Sequence, residues 1–126
     1  MKKEAVSTQK APVAIGPYSQ AVKAGELIFV SGQIPVNPST GELVGENIED
    51  QTRQSLENIK AILEAADSSL DRIVKVGIFI KDMDDFSAIN SIYKEYFTDS
   101  FPARCCVQVS ELSMGAKVEI EAIALI

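Results

Sequence analysis

Ile73-Val74-Lys75-Val76-Gly77-Ile78-Phe79-Ile80 carries branched apolar residues at Val74, Val76, Ile78 and Ile80, with Lys75 and Gly77 among the residues between them. Side chains alternate faces along a strand, so the spacing predicts a strand with one apolar face. The flanking segments have a different period. From Ile48 to Ala66 the apolar residues Ile48, Leu56, Ile59, Ile62, Leu63 and Ala66 recur at helical spacing, with Glu49, Asp50, Glu57, Lys60 and Glu64 on the opposite side. After the strand, Asp82 and Asp84 offer N-caps for a second amphipathic helix with inner face Phe86, Ile89, Tyr93, Tyr96 and Phe97. Working outward, Ala21-Val22 and Leu27-Ile28-Phe29-Val30 flank Lys23-Ala24-Gly25-Glu26 as a hairpin, followed by a turn at residues 37–41. Pro102 precedes two last strands, Arg104 to Val109 and Lys117 to Leu125, joined by a loop around Ser113-Met114-Gly115.

The order ββ-α-β-α-ββ predicts an α+β fold, a mixed β-sheet with both helices on one face, because right-handed crossovers place them together. The other face then needs cover. Along the last strand its odd positions are Glu119, Glu121, Ile123 and Leu125, part charged and part apolar. That favours a homo-oligomer whose sheets pack together, with polar pockets where subunits meet.

Composition narrows the chemistry. The 126 residues, 46% hydrophobic, form one expected domain, 1–126, able to bury a core without disulfides. The longest apolar runs are strand-sized, well short of the roughly 20 residues of a membrane span. Met1 to Val6 has two lysines but no apolar stretch after them, so a cytoplasmic, soluble protein is expected. Cys105 and Cys106 are adjacent and would face opposite ways on a strand, which makes a disulfide between them strained. The chain has no histidine and no CxxC pair, so no metal is expected. The same absence removes Ser-His-Asp and Cys-His activation, leaving carboxylates, tyrosine, lysine, backbone or water for proton transfer. Net charge is −6 and the 12 lysines and arginines are scattered, which disfavours a nucleic-acid partner. Gly41-Glu42-Leu43-Val44-Gly45 lacks the Lys-Ser/Thr ending of a phosphate loop.

Four segments occur in order: Gly16-Pro17-Tyr18-Ser19-Gln20-Ala21, Val30-Ser31-Gly32-Gln33-Ile34-Pro35, Phe101-Pro102-Ala103-Arg104 and Val118-Glu119-Ile120-Glu121-Ala122-Ile123-Ala124. Together they resemble the signature blocks of the RidA/YjgF family, over roughly residues 3 to 126. The resemblance implies a chorismate-mutase-like fold and a homotrimer with active sites between subunits. It implies a 2-iminobutanoate/2-iminopropanoate deaminase, which hydrolyses 2-aminoacrylate, 2-aminocrotonate and their 2-imino acid tautomers to 2-oxo acids and ammonia with no cofactor. It implies that Arg104 clamps the substrate carboxylate and Glu119 supplies acid/base or water-positioning chemistry. It further implies that Tyr18, Gly32, Cys106 and Asn90 bind substrate alongside Arg104.

The residue types suit that chemistry, and each also has a plainer reading. A planar guanidinium can grip a planar carboxylate bidentately, yet an arginine is as readily one half of a surface ion pair. Glu119 and Glu121 project from one strand face, as a proton-transfer pair or as two solvated carboxylates. Burial and a like-charged neighbour would raise a carboxyl pKa there, and Arg104 nearby would lower it. Cys106 lacks a histidine and is expected to be a neutral strand residue rather than a nucleophile. Tyr18 is pocket wall or loop packing, and Gly32 a strand end, a bulge or room for close approach of substrate. Two competing functions stand beside the deaminase: an endoribonuclease or translation inhibitor, and a non-catalytic ligand-binding or regulatory protein.

Overall fold

The computed structural model describes residues 2–126. Its strands are β1 (Lys3–Val6), β2 (Ala21–Ala24), β3 (Leu27–Gln33), β4 (Ile73–Ile80), β5 (Ala103–Gln108) and β6 (Val118–Leu125). The helices are α1 (Ile48–Ala65) and α2 (Phe86–Tyr96), with single 3-10 turns at Leu70–Arg72, Met83–Asp85 and Ser113–Gly115. All six strands form one sheet in the order β1-β2-β3-β6-β4-β5. β4 and β5 are parallel, joined through α2, and β6 lies antiparallel between β3 and β4. The sheet is therefore mixed, as expected. β1, paired antiparallel with β2, was not anticipated from sequence.

Even positions of β6 (Val118, Ile120, Ala122, Ala124), with Val76, Ile78 and Ile80 of β4 and Ile28 and Val30 of β3, are buried in one core with Leu56, Ile59, Ile62, Leu63, Ile89 and Tyr93 of the helices. Each fully buried isoleucine or leucine there contributes roughly 2 kcal/mol of transfer free energy. One expected member of this face is displaced. Val74 is 40% exposed and Ile73 only 5%, because the pairing of β4 with β6 shifts between Ile73 and Lys75. The bulge puts an extra residue into β4, so Ile73 takes the core position that strict alternation assigns to Val74.

Turns and caps follow side-chain chemistry. The β2–β3 hairpin closes through Gly25 at φ +63°, where a side chain would be strained. Asp82 accepts from the Asp84 amide at 2.9 Å and caps the 3-10 turn leading into α2. Asp84 caps nothing, and the α2 N-cap, Asp85, makes no side-chain capping bond. Helix α1 has the expected extent, but its inner face is polar at Gln51, Thr52, Ser55 and Asn58. Gln51 donates to the Gly45 carbonyl at 2.6 Å and accepts from the Lys117 amide at 2.9 Å. Asn58 donates to the Val36 carbonyl at 3.0 Å. These bonds tie the loop after β3, and the start of β6, to the helix.

The face away from the helices keeps Phe29, Val107 and Leu125 at about two-fifths exposure, beside Glu119 and Glu121. No helix among the described residues is long and apolar enough to cross a membrane.

Candidate active site

Glu119 and Glu121 leave β6 on the open face and each lies over a glycine of a neighbouring strand. A Cβ built on Gly32 of β3 would sit 2.6 Å from Glu119 Oε2, and one on Gly77 of β4 would sit 2.9 Å from Glu121 Cγ. Real Cβ contacts are not this short, so both glycines provide the space in which the carboxylates lie. β3 changes register between Val30 and Gln33, so Gly32 is also at a bulge. Burial pushes the Glu119 carboxyl above its ordinary range, and the charge of Glu121 pushes it further the same way. Among the described residues no charge opposes these two effects.

Gly32 also lines a cavity of about 360 Å³ with Tyr18. The Ile15 amide donates to the Tyr18 phenol oxygen at 3.4 Å, which holds the residue 12–18 loop against the ring. Much of the remaining wall is apolar, including Ile15, Ile34, Val36 and Met114.

A second cluster forms at the β5 edge. Arg104 pairs in register with Val76, and Val76 with Ala122, which places Arg104 on the helix-covered face. Its Nη1 donates to Asn90 Oδ1 at 2.7 Å. The guanidinium carbon lies 4.7 Å from the centre of the Tyr93 ring and 5.5 Å from that of Phe86. Arg104, Asn90 and Tyr93 line a cavity of about 320 Å³ with Lys94, Phe101 and Pro102. Cys106 follows on the same face of β5, and burial raises its thiol pKa while the Arg104 charge only partly opposes that. Burial thus favours the thiol over the thiolate.

The structure therefore brings Arg104, Asn90 and Cys106 together, and separately Tyr18, Gly32 and Glu119. The sheet divides the two groups. Glu119 pairs with Phe79 and projects from the open face, whereas Arg104 projects from the helix face. The ion-pair reading of Arg104 has no support in the chain, since the one salt bridge among the described residues joins Arg53 to Glu95. Gly77, Phe86 and Tyr93 were not recognised in the sequence as parts of these clusters. The signal for the aromatic pair was available: Phe86, Asn90 and Tyr93 stand at i, i+4 and i+7, one stripe of a helix.

A two-helix layer on one face of a mixed sheet, with a free arginine at one edge and a carboxylate over a glycine on the open face, defines a class that comparison makes specific. The family model described as endoribonuclease L-PSP matches residues 8–126. A RutC family protein of Pyrococcus horikoshii is 57% identical over 122 residues, 97% of each chain. The 2-iminobutanoate/2-iminopropanoate deaminase of Escherichia coli K12 is 51% identical over 123 residues, 95% of each chain. The crystal structure of E. coli TdcF with bound serine superposes with a TM-score of 0.93 at 49% identity, covering 98% of both chains. The chain belongs to the RidA/YjgF family.

Proposed function

We propose that the chain is a cofactor-free deaminase that hydrolyses 2-imino acids, among them the tautomers of 2-aminoacrylate and 2-aminocrotonate, to 2-oxo acids and ammonia. The observation that carries this reading is Arg104, a guanidinium hydrogen-bonded to a neutral amide and lying over two aromatic rings, with no carboxylate paired to it among the described residues. Its remaining donors match a planar carboxylate. The deaminase name of a relative at 51% identity and the serine held by TdcF support a ligand of the amino-acid class.

In this reading Arg104 holds the substrate carboxylate and fixes the imine carbon. Glu119 takes a proton from a water whose oxygen adds to that carbon and passes it to the imine nitrogen, giving the carbinolamine. Collapse of the carbinolamine forms C=O as the C–N bond breaks, and ammonia leaves with the proton that Glu119 relays. A carboxyl raised by burial is better matched to both proton transfers than an ordinary one. Tyr18 and Gly32 line the cavity beside Glu119, while Asn90 and Cys106 flank Arg104.

Because the sheet separates Arg104 from Glu119, a site that uses both needs Arg104 from one copy and Glu119 from another. A homotrimer with sites between subunits meets that need, and the exposed Phe29, Val107 and Leu125 provide a face for it. A cytoplasmic location accompanies the reading. The endoribonuclease description of the family model has less support here, since a net charge of −6 repels a phosphate backbone.

The test generates 2-aminoacrylate in place with a serine dehydratase and follows pyruvate release. Wild-type protein is expected to accelerate release, with Arg104→Ala losing at least roughly a hundredfold in kcat/KM, as for removal of the charged group that binds the substrate carboxylate. No acceleration by the wild type, or RNA cleavage by purified protein that disappears in Arg104→Ala, would overturn the proposal.

A further inference from the structure

Resting on the deaminase reading, we propose that Phe86, Asn90 and Tyr93 are positioning residues that hold the Arg104 guanidinium in place without neutralising its charge. A guanidinium is commonly held by a carboxylate, often bidentately. Here no carboxylate pairs with Arg104 among the described residues. Asn90 Oδ1 accepts from one Nη1 proton at 2.7 Å, and arginine only donates, so the amide can present only its oxygen. The two aromatic faces, with centres 4.7 and 5.5 Å from the guanidinium carbon, attract the cation through their ring quadrupoles and take up none of its in-plane donors.

All three partners come from one stripe of α2, at positions 86, 90 and 93, so a single rigid element sets the guanidinium plane. Tyr93 anchors that stripe. It is 5% exposed, packs on Phe97 with ring centres 4.5 Å apart, and its hydroxyl is buried without a hydrogen-bond partner. What this position presents to Arg104 is the ring. A carboxylate at position 90 would hold the arginine equally well but would compete with the substrate for it. The neutral amide keeps the full positive charge, and the remaining N–H edge, for an incoming carboxylate.

The deciding variant is Asn90→Asp, which preserves size and places a carboxylate against Arg104. A purely structural contact would tolerate this change or gain an ion pair. The cradle requires the opposite for function. KM, and the Kd for 2-oxobutanoate measured by calorimetry, should rise on the order of tenfold or more, about 1.4 kcal/mol, since a charge at hydrogen-bond distance competes with the ligand for the guanidinium. kcat should stay within about threefold and Tm should not fall, because the chemistry and the packing are untouched. Phe86→Leu should raise KM about threefold to tenfold through the lost ring face. If Asn90→Asp binds 2-oxobutanoate and turns over substrate as wild type does, the cradle is overturned while the deaminase reading stands. If the wild type neither binds the oxo acid nor accelerates pyruvate release, the deaminase reading falls and takes the cradle with it.

Discussion

Position 32 shows how much a missing side chain can specify. In the sequence Gly32 had three readings: strand end, bulge, or close approach of substrate. The structure shows a bulge and adds a role that no local pattern could reveal, because the atom that needs the space belongs to Glu119, 87 residues further along. Gly32→Ala should fold, since the crowded atoms are those of a flexible carboxylate, but Glu119 must swing aside. We expect kcat to fall at least about tenfold, the scale of misplacing a catalytic group by an ångström, with a stability change near 1 kcal/mol. Steady-state kinetics and urea denaturation check both halves of that statement. Glu119 also carries a stability signature. Its folded pKa is raised, so its contribution is fully present below the ordinary carboxyl value and is lost as pH rises through the folded one. In an Arg104→Ala background, where no guanidinium from any copy intervenes, Glu119→Gln should raise Tm at neutral pH. The gain should vanish in scans below pH 4.5, the ordinary glutamate value. An equal gain at both pH values would show that ionisation is not its source.

At the scale of elements, hairpin, helices and the three later strands were legible because periodicity and turn residues agree there. What escaped has identifiable causes. β1 is four residues, Lys3–Val6, too short for alternation to show, and it exists because β2 offers it an edge. The Ile73–Val74 exchange arises from register with β6, a property of pairing and not of β4 alone. The polar inner face of α1 could be read only as a gap in the apolar stripe between Ile48 and Leu56. Its physical purpose is the backbone of the loop after β3, which lines the cavity beside Tyr18 and whose Gly45 and Val36 carbonyls take the Gln51 and Asn58 donors. Asn58→Leu removes the donor to the buried Val36 carbonyl and should cost about 1–3 kcal/mol, the penalty of an unsatisfied buried acceptor. Urea titration should show a lower midpoint with an unchanged slope. A midpoint equal to wild type would mean that the loop finds water or another donor.

For the whole molecule, the central result is a division. The residues that family resemblance gathers into one site are on opposite faces of one sheet, Arg104 with Asn90 and Cys106 against α2, and Glu119 with Gly32 on the open face. The sequence named these residues but could not show the division, because which way Arg104 points depends on the parallel register of β5 with β4. A working site made from both halves must therefore join two copies of the chain. The most direct test mixes Arg104→Ala and Glu119→Gln proteins, each inactive alone, under conditions that allow subunits to exchange. If each site takes Arg104 from one copy and Glu119 from its neighbour, about one interface in four in an equimolar random mixture pairs two intact residues, and activity should recover to roughly a quarter of wild type. A mixture no more active than the average of the two variants would contradict a site shared between copies.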